Sequence, residues 1–332
     1  MLESIKGKRV LITGGAGFIG SHLAEALLDQ GAQVTLVDDL STGSMDNLGH
    51  LMSREGLRWV SGSVSDRKLV AELISQTDCV YHLAAAVGVA LIAKQPIQTI
   101  ERNVEPTQFL LSELERHHAQ GRTIPVFIAS TSEVYGKNPK EVWSEEDDLV
   151  YGSTTKARWS YGVSKAIDEF LALGHFRQSQ LPCVIGRFFN VVGPRQTGAY
   201  GMVLPRFVDA ALAGQPLKVH DDGQQVRCFS HVADIIGAIV KLMITPAAAG
   251  RVFNIGADRP VSILDLAKLV IQRTDSSSEI EFQTYSQAYD KDFEDIRRRV
   301  PSLERLKQVI GFAPQFDLEH IIDDVVRWKR EK

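Results

Sequence analysis

Two patterns of apolar residues alternate along the chain as far as Asn190. Short, nearly continuous apolar runs recur at 8–13 (KRVLIT), 33–38 (QVTLVD), 57–61, 79–83, 126–130 and 183–189. Runs of that length and β-branched content predict strands buried on both faces. Between them, apolar residues recur at helical spacing. In 17–30 the stripe is Phe18, Ile19, Leu23, Ala26 and Leu27, and further helices are predicted over 67–75, 97–118 and 158–178. The alternation predicts an α/β fold, a doubly wound parallel sheet with helices on both faces.

The pattern changes after Asn190. Glycine, proline and arginine punctuate 191–201 (VVGPRQTGAYG). Shorter, mixed elements follow at 202–213, 217–220, a helix from His231, a strand at 251–254, and helices near 263–273 and 318–329. This predicts a smaller mixed α/β lobe over the carboxyl edge of the sheet. The expected division puts 1–189 plus about 226–254 in the larger domain, and about 190–225 plus 255–332 in the smaller. Residues 276–278 (SSS) are a loop, and there are no repeats. Ligands of open parallel sheets bind outside the strands' carboxyl ends, so strand-end residues carry the candidate chemistry.

Composition narrows the class. The 332 residues are 44% hydrophobic and 23% charged, ordinary for a globular chain, and a net charge of −4 without a basic cluster argues against nucleic acid as a partner. Cys79, Cys183 and Cys228 lack the spacing of a zinc site or disulfide framework, so buried thiols and no metal are expected. Residues 1–8 (MLESIKGK) have no apolar core of a secretion signal, and no run approaches the ~18 apolar residues of a spanning helix. A cytoplasmic protein with no membrane partner is expected.

At the first strand–helix junction stands Thr13-Gly-Gly-Ala-Gly-Phe-Ile-Gly20. Gly14 suits a tight turn, Gly17 lets a pyrophosphate approach the helix N-terminus, and Gly20 allows close helix–sheet packing. The next strand ends in Asp38, placed to bind both hydroxyls of an adenine ribose. A 2′-phosphate would be repelled there and no arginine stands beside Asp38 in the sequence, so NAD is expected over NADP. Further on, Tyr161 and Lys165 lie four apart at the start of a predicted helix and share a face. A phenol of pKa ~10 is a poor base at neutral pH unless a nearby cation favours the phenolate. The pair follows a strand that ends in Ser130-Thr131-Ser132.

With these motifs together, the chain resembles the extended short-chain dehydrogenase/reductase family of NAD-dependent nucleotide-sugar epimerases, dehydratases and decarboxylases. The matching stretches are 13–20 (TGGAGFIG), 38–39 (DD), 81–85 (YHLAA), 130–136 (STSEVYG), 161–165 (YGVSK), 187–196 (RFFNVVGPRQ) and 226–234 (VRCFSHVAD). They span nearly the whole chain. The sequence departs from the family at Ser63, where an acid often touches the adenine. The resemblance implies a Rossmann-type sheet with a nucleotide-sugar lobe. It places Gly14, Gly17, Phe18, Ile19, Gly20, Asp38, Asp39, Thr42, Gly43, Val64, Leu83 and Ala84, with Tyr161 and Lys165, around NAD. It implies that Tyr161 takes the proton of the sugar 4-hydroxyl as hydride passes to NAD, that Lys165 also holds the nicotinamide ribose, and that Thr131 orients the reacting oxygen. Asn190 and Arg227 would hold the diphosphate of a nucleotide sugar, expected to be UDP-linked. The helices at 97–118 and 158–178 match the family's dimerising pair, so a homodimer is expected.

A 4-keto sugar has three fates: loss of CO2 from a C5 carboxylate, loss of water from C6, or hydride return to the other face. Ser132 and Glu133 follow Thr131, and the family's decarboxylases and dehydratases carry an acid there; Glu133 would act as general acid/base at C5. Residues 156–161 (KARWSY) resemble the K-x-R-W-x-Y element of UDP-apiose/UDP-xylose synthase and of the decarboxylase domain of the bacterial 4-amino-arabinose pathway, which points to Arg158. Residues 289–301 (YDKDFEDIRRRVP) resemble the segment of those decarboxylases where an aspartate and an arginine reach the sugar, matching Asp295 and Arg299. A guanidinium fork suits a carboxylate and is a poor proton donor, so Arg299 is expected to orient substrate. UDP-glucuronate decarboxylation is the first expectation, a UDP-sugar 4-epimerase the alternative, and a 4,6-dehydratase the third. A catalytically silent NAD sensor is the reading from another class; it would be expected to lose Tyr161 or Lys165, and both are present.

Overall fold

The computed structural model describes residues 1–86, 95–198, 202–284 and 294–331. Its first six strands are β1 (Arg9–Thr13), β2 (Gln33–Asp38), β3 (Leu57–Ser61), β4 (Cys79–His82), β5 (Val126–Thr131) and β6 (Cys183–Phe188). The helices among them are α1 (Phe18–Asp29), α2 (Arg67–Ser75), α3 (Pro96–Ala119) and α4 (Ser160–Ser179). Expected element ends shift by a residue or two, as frayed termini do. Later strands are β7 (Val191–Val192), β8 (Leu217–His220), β9 (Val226–Cys228), β10 (Ser230–His231), β11 (Arg251–Ile255), β12 (Pro260–Ser262), β13 (Ile280–Gln283) and β14 (Arg298–Arg299). Later helices are α5 (Val203–Leu212), α6 (Val232–Met243), α7 (Ile263–Thr274), α8 (Glu304–Ile310) and α9 (Leu318–Arg330).

The seven-stranded sheet runs β11-β6-β5-β4-β1-β2-β3, and every pairing in it is parallel. Strand order reverses between β1 and β4, the switch point where such sheets open a crevice. Register aligns the strand ends: Thr13 is level with Val37 and His82, and Thr131 with Phe188. The residues after each strand therefore converge on one edge. One face of the sheet buries Leu23, Leu27, Ile235, Ile239 and Leu306 from α1, α6 and α8. The other buries Leu73, Leu110, Leu114 and Ala172 from α2, α3 and α4.

The smaller lobe has its own core, in which Leu204, Phe207 and Val208 of α5 meet Leu266 and Val270 of α7 and Ile322 and Val325 of α9. Two segments fall across the expected division. Strand β9 lies outside the main sheet, between β12 and β14, whereas Leu306 and Ile310 of α8 join the core under α6 and β11. The three cysteines are free and buried. Among the described residues no helix is long and apolar enough to cross a membrane.

Candidate active site

A cleft of about 640 Å³ opens along the carboxyl edge of the sheet, between the sheet and the smaller lobe. One end is the glycine turn. Gly14 has φ +71, and a Cβ there would stand 2.8 Å from the Ala84 nitrogen; a Cβ on Gly20 would collide with the Gly14 carbonyl. Gly17 is the N-cap of α1 and no side chain caps the helix, so its first-turn N–H groups face a cleft lined by Gly17, Phe18, Ile19 and Gly20. These features fit a dinucleotide pyrophosphate.

Asp38 lines the same end. Its Oδ2 accepts from Ala16 N at 3.0 Å and its Oδ1 from Leu40 N at 2.8 Å, which fixes the carboxylate while each oxygen keeps a lone pair. Burial pushes its carboxyl up, partly offset by these two bonds. Burial also opposes charge on Asp39, but the Ser41 donors, the Arg102 charge and the Ser63 hydroxyl outweigh it and hold that carboxyl low. Arg102 of α3 thus reaches this edge from far along the chain. Thr42, Val64, Leu83 and Ala84 line the cleft as expected. Gly43 does not; a Cβ there would press on Ala16 and on Asp38 Oδ1 at 3.0 Å, so its smallness serves packing behind the wall.

Thr131 ends β5 and caps a single 3-10 turn, Ser132–Tyr135, by accepting from Glu133 N at 3.2 Å. The turn brings Ser132 and Glu133 back into the cleft. Gly162 lets α4 lie against this turn, since a Cβ there would stand 2.6 Å from the Glu133 carbonyl. Behind them, Arg187 pairs with Glu169 of α4 at 2.7 Å and Ser130 Oγ donates to Glu169 Oε1 at 2.5 Å, locking α4 to the ends of β5 and β6. The Thr131 hydroxyl stands beside the Tyr161 phenol and favours its ionised form. Burial first, then the Glu133 and Asp168 charges, push the Tyr161 phenol up against the opposing effects of Thr131 and the Arg158 charge.

Glu133 is the centre of a charge cluster. Arg158 Nη1 donates to Glu133 Oε2 at 2.5 Å and Arg299 Nη1 to Oε1 at 3.3 Å. Burial pushes the Glu133 carboxyl up and Asp295 adds to this, but the two guanidiniums outweigh both and hold it below the usual carboxylate range. Glu133 is thus ionised here, the base form of the general acid/base expected at C5. The Nε of Arg299 is buried and has no hydrogen-bond partner among the described residues.

The second arginine of the cluster's strand pair is Arg227, whose Nη2 donates to both Asp295 oxygens at 3.2 Å. Asn190 lines the cleft with φ +26, and its Nδ2 donates to Cys228 O at 3.0 Å, so the amide also ties the end of β6 to β9. The segment that carries Asp295 and Arg299 is pinned residue by residue. Glu294 Oε2 accepts from Trp159 Nε1 and Lys137 Nζ, each at 3.1 Å; Ile296 is buried under Trp143 and Trp159; Arg298 Nε donates to Glu141 O at 2.9 Å. Arg297 alone behaves as a solvated basic turn, paired with Asp221 and Asp222. Residues 289–293 of the segment lie outside the described residues.

Several cleft residues carry no motif in the sequence. Arg206, Lys218 and His220 line the far end, toward the smaller lobe, with Gln225. Arg195 lines the cleft with φ +69, pairs with Glu25, and has a buried Nη1 without a hydrogen-bond partner among the described residues. Arg195 lies within the stretch 187–196, and Arg206 and Lys218 carry no sequence signal beyond ordinary amphipathic spacing.

A family model described as GDP-mannose 4,6 dehydratase matches residues 11–325, and the chain belongs to that family. It is an extended short-chain dehydrogenase/reductase and an enzyme of the nucleotide-sugar decarboxylase, epimerase and dehydratase class. It is 40% identical to a UDP-N-acetyl-alpha-D-glucosaminuronate decarboxylase of Bacillus cytotoxicus over 98% of each chain. It is 31% identical to UDP-glucuronic acid decarboxylase 1 of Xenopus tropicalis, over 98% of this chain and 73% of that one. Among solved structures it is similar to the UDP-glucuronic acid 4-epimerase of Bacillus cereus in complex with UDP-glucuronic acid and NAD, with a TM-score of 0.86, 26% identity, and coverage of 97% and 99%.

Proposed function

We propose that this enzyme decarboxylates a UDP-linked hexuronate with NAD as resident cofactor, and that a 2-acetamido uronate is its preferred substrate over UDP-glucuronate. The observation that carries the reaction is the Arg158–Glu133–Arg299 cluster beside Tyr161, with a spare buried donor on Arg299. Such a donor suits an anionic oxygen on the sugar. The preference within uronates is supported by the 40% identity, over nearly full length, to the acetamido-uronate decarboxylase.

Gly14, Gly17, Gly20 and Asp38 would hold NAD, which supplies a reversible hydride acceptor for C4. Tyr161 removes the 4-hydroxyl proton while Thr131 holds the oxygen and Lys165 favours the phenolate. The C4 ketone stands beta to the C5 carboxylate, so C–C cleavage sends its electron pair into the carbonyl. Arg299 and Arg158 hold the carboxylate until CO2 leaves. As a substrate carboxylate draws these guanidiniums off Glu133, the Glu133 carboxyl rises toward its ordinary value and beyond, because burial then dominates. That change would ready Glu133 to protonate C5.

A homodimer through α3 and α4 belongs to this reading. Ile97, Ile100, Val163, Ile167 and Phe170 expose apolar side chains on those two packed helices, with Ile97 at 70% and Phe170 at 69% exposure. The test of the reaction is mass spectrometry of UDP-glucuronate and UDP-N-acetylglucosaminuronate incubated with enzyme and NAD. Loss of CO2 is expected. A product of unchanged mass would instead favour the 4-epimerase reading, which the likeness to the Bacillus cereus enzyme supports.

A further inference from the structure

One turn beyond Lys165, α4 carries a second acid that the mechanism does not use. Lys165 Nζ donates to Asp168 Oδ2 at 2.7 Å, and both side chains are almost wholly buried, 3% and 0% exposed. A buried ion pair costs desolvation on both partners, so it is weak as a stability device. Asp168 Oδ1 makes no hydrogen bond of ordinary geometry among the described residues; burial pushes its carboxyl up, and the Lys165 ammonium and the adjacent Thr107 hydroxyl, which donates at 2.7 Å to the Asn103 carbonyl, oppose this. A carboxylate with one oxygen unsatisfied is poorly suited to structure alone.

The groups that face this trio can be named. Glu133 faces Tyr161 from the 3-10 turn after β5, Arg158 from the residues just before α4, and the Thr131 hydroxyl stands beside it. Glu169, next along α4, is occupied by Arg187 at 2.7 Å. On the β4 side stands His82, neutral because burial and the Lys165 charge push it down to about 3. Asp168 is thus the carboxylate that fixes the Lys165 ammonium, and its own charge also opposes ionisation of the Tyr161 phenol.

We propose that Asp168 is a positioning residue that holds the Lys165 ammonium and thereby sets the pH at which Tyr161 becomes the catalytic base. This rests on Tyr161 being the base, as proposed above. With Asp168 ionised, the lysine charge is shared between an acid and the phenol. With Asp168 neutral, the phenol faces the full ammonium and one negative charge fewer.

The test is a phenolate absorbance titration of the NAD-loaded enzyme, with the Tyr161→Phe protein subtracted. It is repeated in the Asp168→Asn background, again against its Tyr161→Phe partner. The Tyr161 midpoint should fall by about one pH unit in Asp168→Asn, and the acid limb of the pH–rate profile should follow it. A folded variant whose Tyr161 midpoint is unchanged or higher overturns the proposal. Asp168→Ser, which keeps a small acceptor for the ammonium, decides the matter if Asp168→Asn does not fold. The titration needs no nucleotide sugar. An unmoved midpoint with normal product formation therefore sinks the role of Asp168 alone, whereas absence of decarboxylated product with a shifted midpoint sinks only the substrate assignment.

Discussion

Arg299 stands in register with Arg227 on adjacent parallel strands, β14 and β9, so two cations lie side by side at the cleft. Each is paired with an acid, Arg299 with Glu133 and Arg227 with Asp295. A UDP-uronate carries its diphosphate on C1 and its carboxylate on C5, the two carbons that flank the ring oxygen. Neighbouring arginines match neighbouring anions. Arg227→Ala should raise KM for acidic and neutral nucleotide sugars alike by ~10-fold or more, whereas Arg299→Ala should weaken only uronates. Competition by UDP separates the two: Arg227→Ala weakens UDP itself, and Arg299→Ala leaves it unchanged.

The Glu133 cluster also makes a prediction for stability. Its carboxyl is held low in the folded protein by two guanidiniums. A depressed pKa stabilises the fold above the unfolded-state value of ~4.3, and that stabilisation is lost as pH falls through the folded value. Denaturant titrations should show this acid-side loss in the wild type and a smaller one in Glu133→Gln. Glu133→Ala removes the acid that two buried guanidiniums share and should cost ~3 kcal/mol at neutral pH. Arg158 is 5% and Glu133 11% exposed, so solvent screening does not erase the effect.

The sheet and both halves of the dinucleotide turn were legible because strands buried on both faces and a glycine turn between strand and helix are local signals. Short motifs mark Tyr161, Lys165, Thr131 and Glu133, and the fold brings all four to one cleft. What the sequence could not show was who partners whom. Glu133 and Arg299 are 166 residues apart, and the ion pair that holds the expected general acid/base as an anion exists only in the fold. Arg102 was missed for the same reason: it lies on an ordinary amphipathic helix and reaches Asp39 only through the packing of α3. Gly43 shows the same limit: a glycine beside a ligand and one beside a packed side chain look identical in a chain of letters, and only the fold sets it against Ala16.

Cofactor choice should follow Asp38. Its carboxylate is fixed by Ala16 N and Leu40 N and lines the cleft. A 2′-phosphate would meet that charge, so NAD should bind more than ~10-fold tighter than NADP. Fluorescence titration of both cofactors checks this. Asp38→Asn should narrow the gap, with Arg102 nearby to tolerate the added phosphate; a wild type that binds NADP equally well contradicts the reading of Asp38.

Phe170→Glu should turn a dimer into a monomer. Phe170 and Ile97 are the most exposed large apolar side chains of α3 and α4, and a carboxylate buried at an apolar interface has no partner. Sedimentation velocity at micromolar concentration should show a dimer for the wild type and a monomer for the variant. The Tyr161 site lies on the other face of α4, so cofactor binding should persist in the variant.

The chemical steps should separate in two variants. Tyr161→Phe keeps the ring but removes the proton acceptor, so turnover should fall by at least ~100-fold while nucleotide-sugar binding is kept. Arg299→Ala keeps Tyr161 and Thr131 but removes the group that holds the carboxylate. Oxidation at C4 should then proceed without release of CO2, and reduced cofactor should build up on the enzyme when a UDP-uronate is added. Absorbance of that reduced form, read beside product mass, gives the answer. Accumulation without CO2 in Arg299→Ala, and neither in Tyr161→Phe, is the expected pair of results. CO2 release at the wild-type rate from Arg299→Ala would remove Arg299 from the reaction and leave Arg158 as the cation that holds the carboxylate.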